Sequence, residues 1–300
     1  VACYHPFGAF KLPDGSISFK SSTTHGGDSI KLPCGQCIGC RLAKARDWTA
    51  RIVNEASLHP SNLFLTLTYD DKNLPPLESL HYEHFQSFMR KLRKWHRADF
   101  FKHNPSAQPE DYSPLRFFMC GEYGERTQRP HYHACLFNIW FPDRELLKRN
   151  AGNPLYTSPT LSKLWTLGNH SIGSLNIQTA RYTARYVLKK VNGDLAEAHY
   201  RGRKPEFVRM SLKPGIGAAW FHRFHSDVYP HGKHVLNAVE GPPPKYYDKL
   251  FKRRQKLDFE ELQAERAHEA HQLRHDNTPE RLAVKEVVKQ AQINQLKRTL

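Results

Sequence analysis

His131, Tyr132 and His133 set two imidazoles two residues apart. In a β-strand such residues face the same side, so the pair can chelate a metal once a third ligand arrives from a neighbouring strand. Glu122, on the apolar run just before, is the first choice: a turn centred near Arg126 and Thr127 would bring it opposite His131. Glu125 is the alternative carboxylate, nearer the turn. Further along, Tyr182 and Tyr186 stand one helical turn apart, and Lys189 lies one turn beyond Tyr186 on the same face. A phenol with a pKa near 10 is a poor nucleophile at neutral pH unless a cation is close. Lys189 could stabilise the phenolate or a developing phosphate charge, and a metal on the histidines would polarise and orient a phosphodiester. Attack by tyrosine would leave a 5′-phosphotyrosine and a free 3′-hydroxyl, and Tyr186 ranks ahead of Tyr182 because Lys189 follows it more closely. Two histidines and a carboxylate would equally suit zinc hydrolase chemistry. Tyrosines at this spacing also commonly pack on a sheet with their hydroxyls at its rim.

The second group is Cys34, Cys37 and Cys40 in the run CGQCIGC. Glycines in the spacers let the backbone fold so that thiolates converge. Tetrahedral zinc would need a fourth ligand, for which Cys3 is the first choice, with His5 and His25 behind it. An iron–sulfur cluster, a thiol redox site and a metal-free cluster are the other readings. Cys120 and Cys135, in apolar company on adjacent strands, read as buried thiols.

These side chains need elements to hold them. A helix is expected from Leu42 to Leu58, and NLFLTLTY (62–69) alternates as a strand. A second helix spans Leu80 to Arg97, with Leu80, His84, Phe88, Leu92 and Trp95 as its apolar stripe. Strands 115–123 and 131–140 form a hairpin around a polar turn. A short helix follows Ser158, a good cap, and Pro159; then come a strand at 171–178 and a helix at 179–192. This β-α-β-β-α-β-α order fits an α+β domain: an antiparallel sheet with helices on one face. Gly241 to Pro244 marks a boundary, beyond which the chain is charged and helix-favouring. The expected organisation is a Cys-rich region and helix over 1–60, a catalytic domain over 61–240 and a charged helical tail over 241–300.

Lys and Arg number 45 against 29 Asp and Glu, a formal +16, and the pI is near 9.6. Such an excess favours a polyanionic partner, most often nucleic acid. Arg41, Lys44, Arg46 and Arg51, Arg90 to Lys94, and Arg201 to Lys204 could follow a phosphate backbone, with Trp48, Trp95 and Phe207 as stacking faces. Each charge run alone reads as a solvated face, and the HxxH spacings at His81/His84, His222/His225, His231/His234 and His268/His271 read as surface residues. No run approaches the roughly 18 apolar residues of a membrane span, and the first residues lack the layout of a signal peptide. Reduced cysteines and a cytosolic location follow.

The ordered set of an acid, H-x-H and Y-x3-Y-x2-K resembles the HUH endonucleases, the Rep-type initiators of rolling-circle replication. FLTLTY (64–69) looks like the first strand motif of that family. Within it, the chain is similar to the replication initiation proteins of gokushovirus-type microviruses over most of residues 3–250. The matching stretches are PCGQCIGCR (33–41), FLTLTY, the segment from Gly121 through RPHYHACLF (129–137), YTARYVLKK (182–190), and Pro214-Gly215-Ile216-Gly217 before Trp220 and Phe221. The resemblance implies a nickase acting on single-stranded DNA at a phage origin in the cytoplasm of a bacterial host, with host helicase and polymerase as further partners. It also implies a two-tyrosine strand-transfer cycle, with Mg²⁺ or Mn²⁺ held by His131, His133 and Glu122. From a different class, the alternative is a non-catalytic, zinc-braced nucleic-acid-binding protein; a metal-water phosphodiesterase is a third reading.

Overall fold

The structure is a computed structural model that describes residues 3–14, 16–19, 28–150, 152–185 and 195–295. The chain forms two compact units, one from Val1–Ala45 and Phe251–Thr299, the other from Arg46–Leu250. Among the described residues no helix is long and apolar enough to cross a membrane.

The larger unit is built on a seven-stranded antiparallel sheet. Its strands are β4 (Asn62–Thr68), β5 (Arg116–Tyr123), β6 (Pro130–Phe137), β7 (Glu145–Asn150), β8 (Asn153–Thr157), β9 (His170–Ser174) and β10 (Phe207–Met210). Their order across the sheet is β10-β5-β6-β4-β9-β8-β7. The expected strand–helix order is present, with the β7–β8 hairpin added to it. That hairpin ends the sheet, fully exposed along β7, with a bulge between Leu146 and Lys148.

The antiparallel α+β class is as expected, but helices cover both faces of the sheet. On one face α2 (Tyr82–His103) and α3 (Pro159–Leu164) bury Phe85, Phe88 and Leu161 against Leu63, Leu65, Leu67, Tyr132, Ala134 and Leu136. On the other, α1 (Ile38–Ala56) and α4 (Ile177–Arg185) set Ile52, Ala180 and Ala184 against Phe118, Cys135 and Phe137. Alternation along β4 divides its side chains between these two layers. Cys120 and Cys135 are buried thiols, as read from their company. Ser158 caps α3 by accepting from the Leu161 N–H at 3.1 Å.

Helix α1 starts at Ile38, inside the cysteine run, and α2 starts at Tyr82 and continues to His103. Buried Glu55 of α1 pairs with Arg116 of β5 and accepts the Gly217 N–H at 2.7 Å. Past the end of β4, the Asp70 N–H donates to the Leu167 carbonyl and the Thr68 N–H to the Asn169 carbonyl across a very close approach. A Cβ on Gly168 would sit 2.3 Å from the Asp70 nitrogen, so this position needs glycine.

In the smaller unit β1 (Phe7–Lys11), β2 (Ile17–Ser18) and β3 (Asp28–Leu32) make an antiparallel sheet in the order β2-β1-β3. Helices α8 (Lys256–Gln272) and α9 (Pro279–Gln295) contribute buried Leu262 and Leu282. His5 meets Glu286 of α9 at 2.7 Å, so the N-terminal segment and the charged tail pack within one unit.

His234 of β11 (His234–Leu236) is buried, although its HxxH spacing reads as surface. Asn54 donates from Nδ2 to its Nε2 at 3.0 Å and to the Tyr247 hydroxyl at 2.9 Å. Burial, then the nearby Arg46 charge, push this histidine's pKa down from 6.5 to about 4. Folded His234 stays neutral where the unfolded chain takes up a proton. Its contribution is therefore fully present above pH 6.5, declines as pH falls from 6.5 to about 4, and is level below that. Thermal melts should show the full chain losing several more degrees over this window than His234→Gln; parallel curves would refute the assignment.

Candidate functional site

Strand register brings the first group together. Glu122 of β5 pairs directly with His131 of β6, and His133 pairs with Cys120 on one side and Thr66 of β4 on the other. All of these face the α1/α4 layer. The Glu122 carboxylate Oε1 lies 2.6 Å from His131 Nε2 and 3.0 Å from His133 Nε2. Burial alone would raise the Glu122 pKa, but the two imidazoles hydrogen-bonding to it hold it at about 2. The alternative, Glu125, is exposed at the turn.

Both rings are fixed from behind. His131 Nδ1 donates to the Arg129 carbonyl at 3.1 Å, and the Thr66 hydroxyl engages His133 Nδ1 at 2.9 Å. Each Nε2 is thereby turned toward Glu122, the tautomer arrangement common among metal-ligating histidines. Phe64 stacks on His133 at 5.2 Å and 11°. The sequence alone does not single out Phe64 or Thr66 individually. Their signal is the period-two alternation of FLTLTY, which puts both on the face shared with His133.

Tyr182 reaches the same place from α4. The N-terminus of that helix is tied reciprocally: the Asn176 N–H donates to Thr179 Oγ1, and the Thr179 N–H donates to Asn176 Oδ1, both at 2.9 Å. Small Ala180 and Ala184 let it lie close to β6, where Thr183 Oγ1 meets Cys135 Sγ at 3.5 Å. The Tyr182 hydroxyl then donates to Glu122 Oε1 at 3.1 Å and lies 3.5 Å from His133 Nε2. Tyr186 and Lys189 lie outside the described residues.

Glu122, His131 and His133 each offer a ligand atom within 4.8 Å of the others. One carboxylate and two imidazoles with oriented Nε2 atoms fit a divalent cation. Among the described residues Cys3, Cys34, Cys37 and Cys40 form the other such group. His5 turns to Glu286 instead, and His25 lies outside the described residues.

Much of the expected nucleic-acid surface is committed elsewhere. Trp48 packs on Phe118, Trp95 stacks on Phe141, and Phe207 lies edge-on to Tyr82, so none is a free stacking face. Arg51 lies between Trp48 and Tyr246 and donates to the Ile216 carbonyl. Arg46 donates to the Pro242 carbonyl. Arg90, Lys91, Arg93 and Lys94 are exposed, but they ride on α2, which packs on the sheet face opposite His131 and His133.

The family model for replication-associated proteins of the ORF2 type matches residues 62–191, the stretch that carries this group. The chain is 35% identical to replication-associated protein VP4 of Bdellovibrio phage phiMH2K, over 75% of this chain and 69% of that protein. It is 30% identical to replication-associated protein ORF2 of Spiroplasma virus 4, over 86% of this chain and 83% of that protein. No solved structure matches significantly. With this identity and coverage, the chain belongs to the family of phage replication-associated proteins.

Proposed function

We propose that the protein initiates rolling-circle replication by nicking single-stranded DNA at a phage origin through tyrosine transesterification. The observation that carries this reading is the approach of the Tyr182 hydroxyl to Glu122 and His133, at 3.1 and 3.5 Å. His131, His133 and Glu122 would hold Mg²⁺ or Mn²⁺, three protein ligands leaving positions for water and phosphate oxygens. When bound, such an ion polarises the scissile phosphate and offsets its growing charge.

The phenolic oxygen attacks phosphorus as the bond to the 3′-oxygen breaks, and the phenolic proton ends on that departing oxygen. The products are a 5′-phosphotyrosine and a 3′-hydroxyl that a polymerase can extend. Sequence ranks Tyr186 first; the geometry around Glu122 supports Tyr182 as the tyrosine that nicks in this arrangement. Tyr186 then accepts the next 5′ end, and Lys189 lends positive charge, both by their spacing in the sequence. Host helicase and polymerase complete the cycle in the host cytoplasm. The formal +16 supports a DNA partner, with binding that weakens as salt rises.

Incubation of an origin oligonucleotide with protein and Mn²⁺ should give a covalent adduct, absent with EDTA. Tyr182→Phe should slow adduct formation on the order of a hundredfold or more, and the double Tyr182→Phe/Tyr186→Phe variant should form none. An adduct from the double variant would refute the mechanism. Cleavage without an adduct would indicate a metal-water phosphodiesterase, and binding that survives EDTA without cleavage a non-catalytic binder. Calorimetric titration with Mn²⁺ should show Glu122→Gln losing affinity on the order of tenfold or more; unchanged affinity would remove Glu122 from the ligand set.

A further inference from the structure

We infer that Cys3, Cys34, Cys37 and Cys40 bind one structural zinc ion as four thiolates, closing the N-terminal segment onto the start of α1. The four sulfurs lie within 4.8 Å of one another, and Cys3 Sγ and Cys37 Sγ are 4.0 Å apart. A Zn–S bond of about 2.3 Å puts tetrahedral sulfurs about 3.8 Å apart, so the cluster needs little contraction. A cubane iron–sulfur cluster binds each thiolate to a different iron and spreads them wider than this. A single iron would have similar geometry, but the affinity order of divalent metals at one site favours zinc.

The backbone is arranged for anionic sulfur. The Cys34 N–H donates to Cys3 Sγ at 3.1 Å, the Cys37 N–H to Cys34 Sγ at 3.3 Å, and the Cys40 N–H to Cys37 Sγ at 3.5 Å. The Tyr4 N–H also donates to Cys37 Sγ, at 3.3 Å. Gly35, at φ +74°, makes the turn between the first two cysteines of the run. Cys40 sits in the first turn of α1, where unpaired N–H groups favour negative charge.

The segment also needs a brace. Among the described residues of β1, β2 and β3 only Ala9 is buried, while Phe7 and Ile17 are exposed. A three-stranded sheet with so little core is not held by packing alone. A metal joining Cys3 to Cys34 closes the loop that contains this sheet, and its binding energy becomes folding energy for the segment.

The proposal goes beyond the nicking reading and is tested independently of it. Elemental analysis of the purified full chain should find one zinc per chain, retained in a His131→Ala/His133→Ala variant and lost in Cys34→Ser/Cys37→Ser. As a check that does not depend on a folded variant, the wild-type chain stripped and reloaded with Co²⁺ should show the strong visible bands of a tetrahedral tetrathiolate. Iron with its own colour, zinc that follows the histidines, weak octahedral cobalt bands, or disulfides found by mass spectrometry would each overturn it.

Discussion

The site depends on the pairing of Glu122 with His131 across β5 and β6. Side chains alternate along a strand, so a slip of one residue would turn the imidazoles to the other face and separate them from the carboxylate. β6 cannot easily slip because it is bonded on both edges, to β5 and to β4, over nearly its whole length. The same register sets Thr66 beside His133 and so fixes the ring that Tyr182 approaches. A buried carboxylate is costly unless it is paired, and two imidazoles offset that cost here. Strand pairing and electrostatics therefore reinforce each other.

The helix that delivers Tyr182 is held by residues with no functional group to offer. Ala180 and Ala184 are buried, and their small size brings the α4 backbone close enough for a phenol to span the remaining gap. The reciprocal Asn176–Thr179 bonds fix where that helix begins, and so which residues face the sheet. Phe64 and Cys135 line the space below, leaving the polar group set into an apolar layer. In such surroundings charges are less screened than in water.

The histidine pair and its carboxylate were legible because they rest on two strong local rules, the period of two in strands and the reach of a short turn. Coverage of both sheet faces was also present in the sequence. RFFMCGEY (116–123) and PHYHACLF (130–137) are apolar at adjacent positions, whereas a sheet wet on one side alternates. Non-local packing hid the rest. Nothing near His234 in sequence announces Asn54 and Tyr247, and aromatic residues able to stack on bases look the same as those that fill gaps between helix and sheet. Helix α1 begins inside the cysteine run, because the turn at Gly35 lets helical geometry start at Ile38.

The bulged, fully exposed β7 has a consequence for how the molecule behaves in company. A sheet border offers unpaired amides and carbonyls to any extended strand that approaches, which is a route to aggregation. Here the irregular register interrupts that template, and Lys148 and Arg149 place positive charge along it. Another copy arriving edge to edge would meet like charge and mismatched spacing. At the opposite border β10 is only four residues long. Crowding many copies onto one replicating genome should therefore not drive them to polymerise through their sheets.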